Sequence, residues 1–218
     1  MIKVSVLIAV YNQEELVIKA LKSIPKRDDI EIVVCDDGST DNTLNNVLHY
    51  AANNKDRNIN IKHNEGNKGV ACTVNRLYDS AKGEYVVLLG SDDYFYIEEF
   101  EKAIKELDGT DLVYFNLQIN DGTIFRLNEQ TKMGYCGSTK FMRRGFIKDT
   151  RCLEDKKAGE DYFFYQELLK KNPTEKFTDI TLKHYNFPRE GSLSYLQRIG
   201  AIKWRTFFIL ETYQKSAE

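Results

Sequence analysis

Residues 31–41 read EIVVCDDGSTD. A short apolar run breaks there into two aspartates, a glycine and a series of turn and helix-cap residues. Upstream, Lys3 to Val10 reads KVSVLIAV, an apolar and β-branched run suited to a strand buried on both faces. Between the two, Glu15 to Ile24 sets Leu16, Ala20 and Ile24 at helical spacing, with Pro25 as the stop. Downstream, Leu44, Val47, Leu48, Ala51 and Ala52 form a second helical stripe, and Ile59 to His63 reads as a weak third strand. Gly69 opens a helix carrying Val70, Val74, Leu77, Tyr78 and Ala81. Glu84 to Leu89, EYVVLL, is a fourth strand that ends at Gly90-Ser91-Asp92-Asp93.

Strand–helix alternation at this pace predicts right-handed βαβ units and a mainly parallel sheet, an α/β fold. Ligands of such sheets bind beyond the carboxyl ends of the strands. Those ends carry Tyr11 and Asn12, Asp36 and Asp37, and Asp92 and Asp93. The second half differs. Asp111 to Ile119 and Thr123 to Leu127 flank Asn120-Asp121-Gly122, a hairpin signal. A helix over Glu160 to Lys171, a strand over Lys176 to Tyr185 and a last helix over Tyr195 to Tyr213 complete the expectation.

Composition narrows the function classes. The 218 residues hold 31 Lys+Arg and 33 Asp+Glu, a net charge of −2, which argues against a nucleic-acid partner. Hydrophobic residues at 42% supply a sizeable core. No signal-peptide pattern follows Met1, and the uncharged run from Val4 is far short of a membrane span. Cysteines at 35, 72, 136 and 152 have neither zinc-site nor redox spacing, so four reduced thiols in a cytoplasmic protein are expected. His49, His63 and His184 are too scattered for a histidine-rich metal site.

Two adjacent carboxylates at a strand end call for a positive partner. A divalent cation held by one or two carboxylates and substrate phosphates would serve at Asp92 and Asp93. On residue type alone, a helix cap by Ser91 or Asp93 explains the segment equally well. Asp36 and Asp37 do not open an EF-hand loop, because Gly38 and Val47 fall where ligands are required. No dinucleotide-binding or P-loop glycine pattern is present either.

Taken in order, Val4 to Asn12, Asp36 to Thr43, Asn67-Lys68-Gly69 with Asn75, Ala81 to Tyr85 and Ser91-Asp92-Asp93 resemble family-2 glycosyltransferases. The match is close from residue 3 to about 95 and looser from Gly137 to Ser194. The resemblance implies a GT-A fold. One domain over 1–194 would comprise a nucleotide-sugar-binding half (1–95) and an acceptor half (96–194), with 195–218 as a helical extension. Ala9, Tyr11, Asp37, Lys68, Ser91, Asp92 and Arg189 would bind the donor, Tyr11 stacking on the base and Asp37 accepting its N3–H, which favours uracil. Asp92 and Asp93 would hold Mn²⁺ or Mg²⁺.

Gly159-Glu160-Asp161-Tyr162 resembles the family's Glu-Asp motif, which makes Asp161 the catalytic base. Without the resemblance, Glu160 and Asp161 read as a charged first helical turn. Two departures stand out: Gly90 replaces the first aspartate of an Asp-x-Asp motif, and Val74 takes the place of an arginine that Lys68 or Arg189 could supply. His184 is read as structural. The expected activity is inverting, metal-dependent sugar transfer from a UDP-sugar to a glycan or lipid-linked acceptor. A nucleotidyltransferase and a non-catalytic sugar-nucleotide binder are the alternatives. Aromatics and basic residues over 195–213 fit either packing against the domain or a second subunit, or a peripheral contact on the inner face of an anionic membrane.

Overall fold

The computed structural model describes residues 1–134, 137–155 and 159–190. The expected C-terminal helix over 195–213, and Cys136, lie outside the described residues. Three parallel ladders build the first half. Strand β1 (Val4–Val10) pairs with β2 (Ile30–Asp36) and β4 (Tyr85–Leu88), and β2 pairs with β3 (Asn58–His63). Alternate side chains point to opposite faces. Val4, Val6, Ile8 and Val10 therefore join one core, under α1 (Leu16–Lys22), α2 (Thr43–Ala52) and α4 (Ile97–Lys105). Leu7, Val33 and Cys35 join the other, under α3 (Val70–Ser80) and α6 (Glu160–Leu169). Burial on both faces is why these strands read as unbroken apolar runs.

The second half extends the same sheet. Among the described residues nine strands take the order β3-β2-β1-β4-β8-β6-β9-β5, with β7 paired to β6 alone. Strand β6 (Leu112–Gln118) runs antiparallel to β8 (Lys140–Arg143) and to β7 (Ile124–Phe125), but parallel to β9 (Glu175–His184). Strand β8 is antiparallel to β4, and β5 (Tyr94–Phe95) is antiparallel to β9. Parallel ladders still hold most of the paired residues. The hairpin at Asn120-Asp121-Gly122 forms, with the Ile119 amide donating to the Thr123 carbonyl at 2.9 Å.

Among the strands and α-helices, four were not expected from the sequence: β5, α4, β8 and the short helix α5 (Arg144–Ile147). Helix α4 has a readable stripe, Phe100, Ala103 and Ile104, all buried. Strand β8 is masked by Lys140, a fully buried lysine 4.3 Å from the Tyr165 ring centroid. At the end of the sheet away from the strand tips, Glu31 accepts Ser5 Oγ and the amides of Lys82 and Gly83. There too, the Tyr85 hydroxyl donates to the Thr110 carbonyl and accepts the Gly109 amide.

Candidate functional site

Parallel register brings the strand tips together. Val10 lies opposite Asp36, and the Asp37 amide donates to the Val10 carbonyl at 2.8 Å. Tyr11 projects beyond that tip, 41% exposed. Asn12 ties the β1 tip to the following loop: its amide donates to Ser39 Oγ, and its side-chain oxygen accepts the Thr40 amide. Asp36 is buried, accepting the Ser39 amide through Oδ2, which also lies 3.1 Å from His63 Nδ1. Asp37 is 4% exposed. Its Oδ1 accepts Asn64 Nδ2 at 2.8 Å and the Lys68 amide at 2.9 Å, while Oδ2 accepts the Gly69 amide at 2.9 Å. A buried carboxylate is thus met by three donors, and it fixes the loop that opens α3. Gly38 has φ +72°, and a Cβ there would sit 2.4 Å from the Gly66 backbone, so only glycine allows the two loops to meet.

The acidic turn follows β4, whose exit is set by the Leu89 amide donating to the Leu7 carbonyl at 2.9 Å. The turn closes when the Asp93 amide donates to the Gly90 carbonyl at 3.0 Å. A Cβ at Gly90 would lie 2.7 Å from Asp93 Oδ2, so the turn as folded has no room for a side chain there without moving that carboxylate. Asp92 Oδ2 accepts Arg189 Nε at 2.7 Å, and both side chains are partly exposed. Burial first, and then neighbouring Asp93, push the Asp92 carboxyl above the usual aspartate range; Arg189 opposes the shift. Asp93 is 2% exposed; Oδ2 accepts Lys183 Nζ at 2.9 Å and Oδ1 accepts the Asn186 amide at 2.9 Å. Both Asp93 oxygens are engaged inside the protein, which differs from the expectation of a ligand turned towards a cation. His184 stacks on Tyr94 at 4.5 Å and sits 2.9 Å from Asn120 Oδ1, a structural placement.

Asp161 lies in the first turn of α6, where its Oδ1 accepts the Tyr162 amide at 2.8 Å. Burial raises its carboxyl above the ordinary range, against the pull of that amide and of Lys140. Burial and Asp161 together push Glu160 up to about 7. Ala9, Gly90 and Asp161 line one cavity of about 210 Å³, whose apolar wall includes Val70, Val74, Met142 and Phe164. Strand tip, acidic turn and candidate base thereby meet. Tyr11, Asp37 and Lys68 lie outside its lining, at the tips of β1 and β2 and the start of α3, and so do Ser91, Asp92, Asp93 and Arg189; the acidic turn reaches the cavity through Gly90.

Among the described residues no group of three or more His, Cys, Asp and Glu can enclose a cation. The donor set at the acidic turn is one partly exposed carboxylate, Asp92, which suits an ion shared with phosphate oxygens and not an all-protein cage. Sequence reasoning missed Lys183, Ser138 and Asn64. Lysine in a strand reads as exposed, and no local pattern marks a buried one.

The family model for glycosyl transferase family 2 matches residues 5–171. The chain belongs to glycosyl transferase family 2. Among relatives, the putative glycosyltransferase EpsE of Bacillus subtilis (strain 168) is 34% identical over 108 residues, 49% of this chain and 38% of EpsE. The Escherichia coli protein WfaP is named a UDP-Glc:alpha-D-GlcNAc-diphosphoundecaprenol beta-1,3-glucosyltransferase. It is 28% identical over 207 residues, 88% of this chain and 79% of WfaP. The chain thus spans under half of EpsE and most of WfaP. Among solved structures, Staphylococcus aureus TarS 1–349 in complex with UDP-GlcNAc superposes with a TM-score of 0.76 at 25% identity, covering 88% of this chain and 60% of that one. The mannosyltransferase PcManGT of Pyrobaculum calidifontis, in complex with GDP-Man and Mn²⁺, gives 0.72 at 19% identity, covering 90% and 60%, a likeness of fold alone. This family-2 member has the mixed α/β GT-A fold. Among its described residues no helix is long and apolar enough to cross a membrane.

Proposed function

We propose that this family-2 member transfers a sugar from a UDP-sugar to a hydroxyl of a glycan or lipid-linked acceptor, with inversion at the anomeric carbon. The observation that carries the reading is the shared cavity: the acidic turn at Gly90 and the carboxylate of Asp161 border the same space. The UDP-GlcNAc complex of TarS and the UDP-Glc donor in the name of WfaP support the choice of donor. The diphosphoundecaprenol acceptor in the name of WfaP supports the choice of acceptor.

Asp37 recognises the base. A carboxylate offers about four acceptor sites, and three donors are in place, so Oδ2 can take one further N–H from a uracil ring. Tyr11, exposed at the same tip, stacks on that ring; Ala9 lines the cavity, and Ser91, next to the lining residue Gly90, faces the ribose. Lys68 and Arg189 supply positive charge to the diphosphate, Arg189 leaving Asp92 to do so. Mn²⁺ or Mg²⁺ held by Asp92 would neutralise charge that develops on the departing UDP. Asp161 takes the proton of the acceptor hydroxyl as its oxygen attacks the anomeric carbon, and the bond to the UDP oxygen breaks in the same displacement. A carboxyl raised by burial is better matched to that proton than an ordinary aspartate. The domain division at residues 95 and 194 belongs to the same proposal.

The test is release of UDP from a panel of UDP-sugars, with glycan and lipid-linked acceptors, with and without Mn²⁺. Acceptor-dependent release that needs the metal supports the reading. A nucleoside monophosphate product would indicate nucleotidyl transfer, and UDP binding without turnover on any acceptor would indicate a binding protein.

A further inference from the structure

We propose that Lys183 is a positioning residue that sets the distance between the donor turn and the catalytic base; this rests on the glycosyltransferase reading above. Its side chain is 1% exposed, unusual for a lysine. A buried ammonium is tolerated only when it is paired and hydrogen-bonded. Three partners meet that requirement: Asp93 Oδ2 at 2.9 Å, Ser138 Oγ, and the ring of Tyr185 with its centroid 5.2 Å from Nζ.

Each of the two polar partners belongs to a different wall of the cleft. Asp93 follows Asp92 in the acidic turn. Ser138 and Gly137 line the cavity with Asp161, and Gly137 approaches so closely that a Cβ on it would lie 3.1 Å from Asp161 Oδ2. The remaining oxygen of Asp93 holds the Asn186 amide at the start of the loop that delivers Arg189 to Asp92. One ammonium therefore joins the donor turn to the strip packed on the base, and its partner Asp93 holds the loop carrying the arginine. Displacement of either wall by about 1 Å is enough to lower turnover on the order of 100-fold without removing any reacting group.

The decisive variant is Ser138→Ala in the full chain, which cuts the link to the base side and leaves the Lys183–Asp93 ion pair in place. Turnover with the best UDP-sugar, UDP affinity by calorimetry and thermal midpoint are measured together. The expected result is a loss in kcat of about 10- to 100-fold, with UDP affinity and midpoint near wild type. Hydrogen exchange supplies a readout independent of transfer: UDP should slow exchange at residues 137–139 in the wild type and not in the variant. Wild-type kcat together with intact UDP-dependent protection in Ser138→Ala overturns the proposal, as does an equal loss of UDP affinity and turnover. Lys183→Met, which strands Asp93, should lower both UDP affinity and kcat; a folded Lys183→Met with wild-type kinetics also overturns it. Failure of the glycosyltransferase reading shows separately, as a wild-type chain that turns over no UDP-sugar.

Discussion

Asp161 and Glu160 sit side by side on one helical turn and both line the cavity, and the proposed mechanism assigns the base to Asp161. Asp161 borders the cavity with an oxygen held by the Tyr162 amide, so Asp161→Asn should keep the fold and UDP affinity. Turnover should fall roughly 10²–10⁴-fold, the usual scale for losing a general base; single-turnover kinetics beside calorimetry checks it. Because burial raises the Asp161 carboxyl, the acid limb of the wild-type rate profile should lie above the ordinary aspartate range. Glu160 is a stability matter. Its folded-state value near 7 exceeds the unfolded 4.5, so its protonated form is the one the fold favours. Stability from this group is complete below 4.5 and is lost as pH rises through about 7. Glu160→Gln should therefore stabilise the protein by about 1–2 kcal/mol around pH 8, an advantage that fades in acid. Urea unfolding across pH measures it. An advantage that grew towards low pH would contradict the burial of Glu160.

Loops at the strand tips hold one another, and that makes some glycines more demanding than others. Gly38→Ala would place a Cβ 2.4 Å from the Gly66 backbone in a left-handed conformation, whereas Gly66→Ala meets nothing within 4 Å. The first should cost about 2 kcal/mol or more, the second about 1 kcal/mol from backbone conformation alone. Gly38→Ala should also weaken UDP binding, because the 66–69 loop supplies two amides to Asp37. Unfolding curves and UDP titration of the pair distinguish steric from conformational loss. How much was legible in the sequence follows the same lines. Strands β1, β2 and β4 announce themselves because both faces are buried, and the hairpin because Gly122 is the turn residue the chain requires. The two-residue β5 is too short to show a period, and β8 hides a buried lysine. The aspartates of the site stand at strand ends, where sheet topology directs attention. Their cationic partners do not: Lys183 and Arg189 lie 90 and 97 residues from Asp93 and Asp92, and only the folded chain brings them together.

One sheet crosses the whole described molecule, with β4–β8 pairing as the seam between the halves. A ligand bound at the strand tips should therefore raise the stability of both halves as a unit. At about 100 times its dissociation constant, UDP with Mn²⁺ should add about 2.7 kcal/mol in a single thermal transition. Asp92→Ala should remove the Mn²⁺-dependent part of that gain and leave the smaller effect of UDP alone; differential scanning calorimetry decides it. An undiminished Mn²⁺ effect in this variant would place the ion elsewhere. The parallel arrangement has a practical side as well. Every loop that enters β1, β2, β3 or β4 lies at the end of the sheet opposite the cleft, and Lys55, before β3, is exposed there. Burial lifts the thiols of Cys35 and Cys152 to about 11 and about 12, and that of Cys72 also rises, which keeps all three sluggish towards alkylating reagents. With Cys136 replaced by serine, a cysteine placed at Lys55 thus offers a selective anchor: a molecule grafted through it onto a sensor chip or bead stands with its cleft facing the solution.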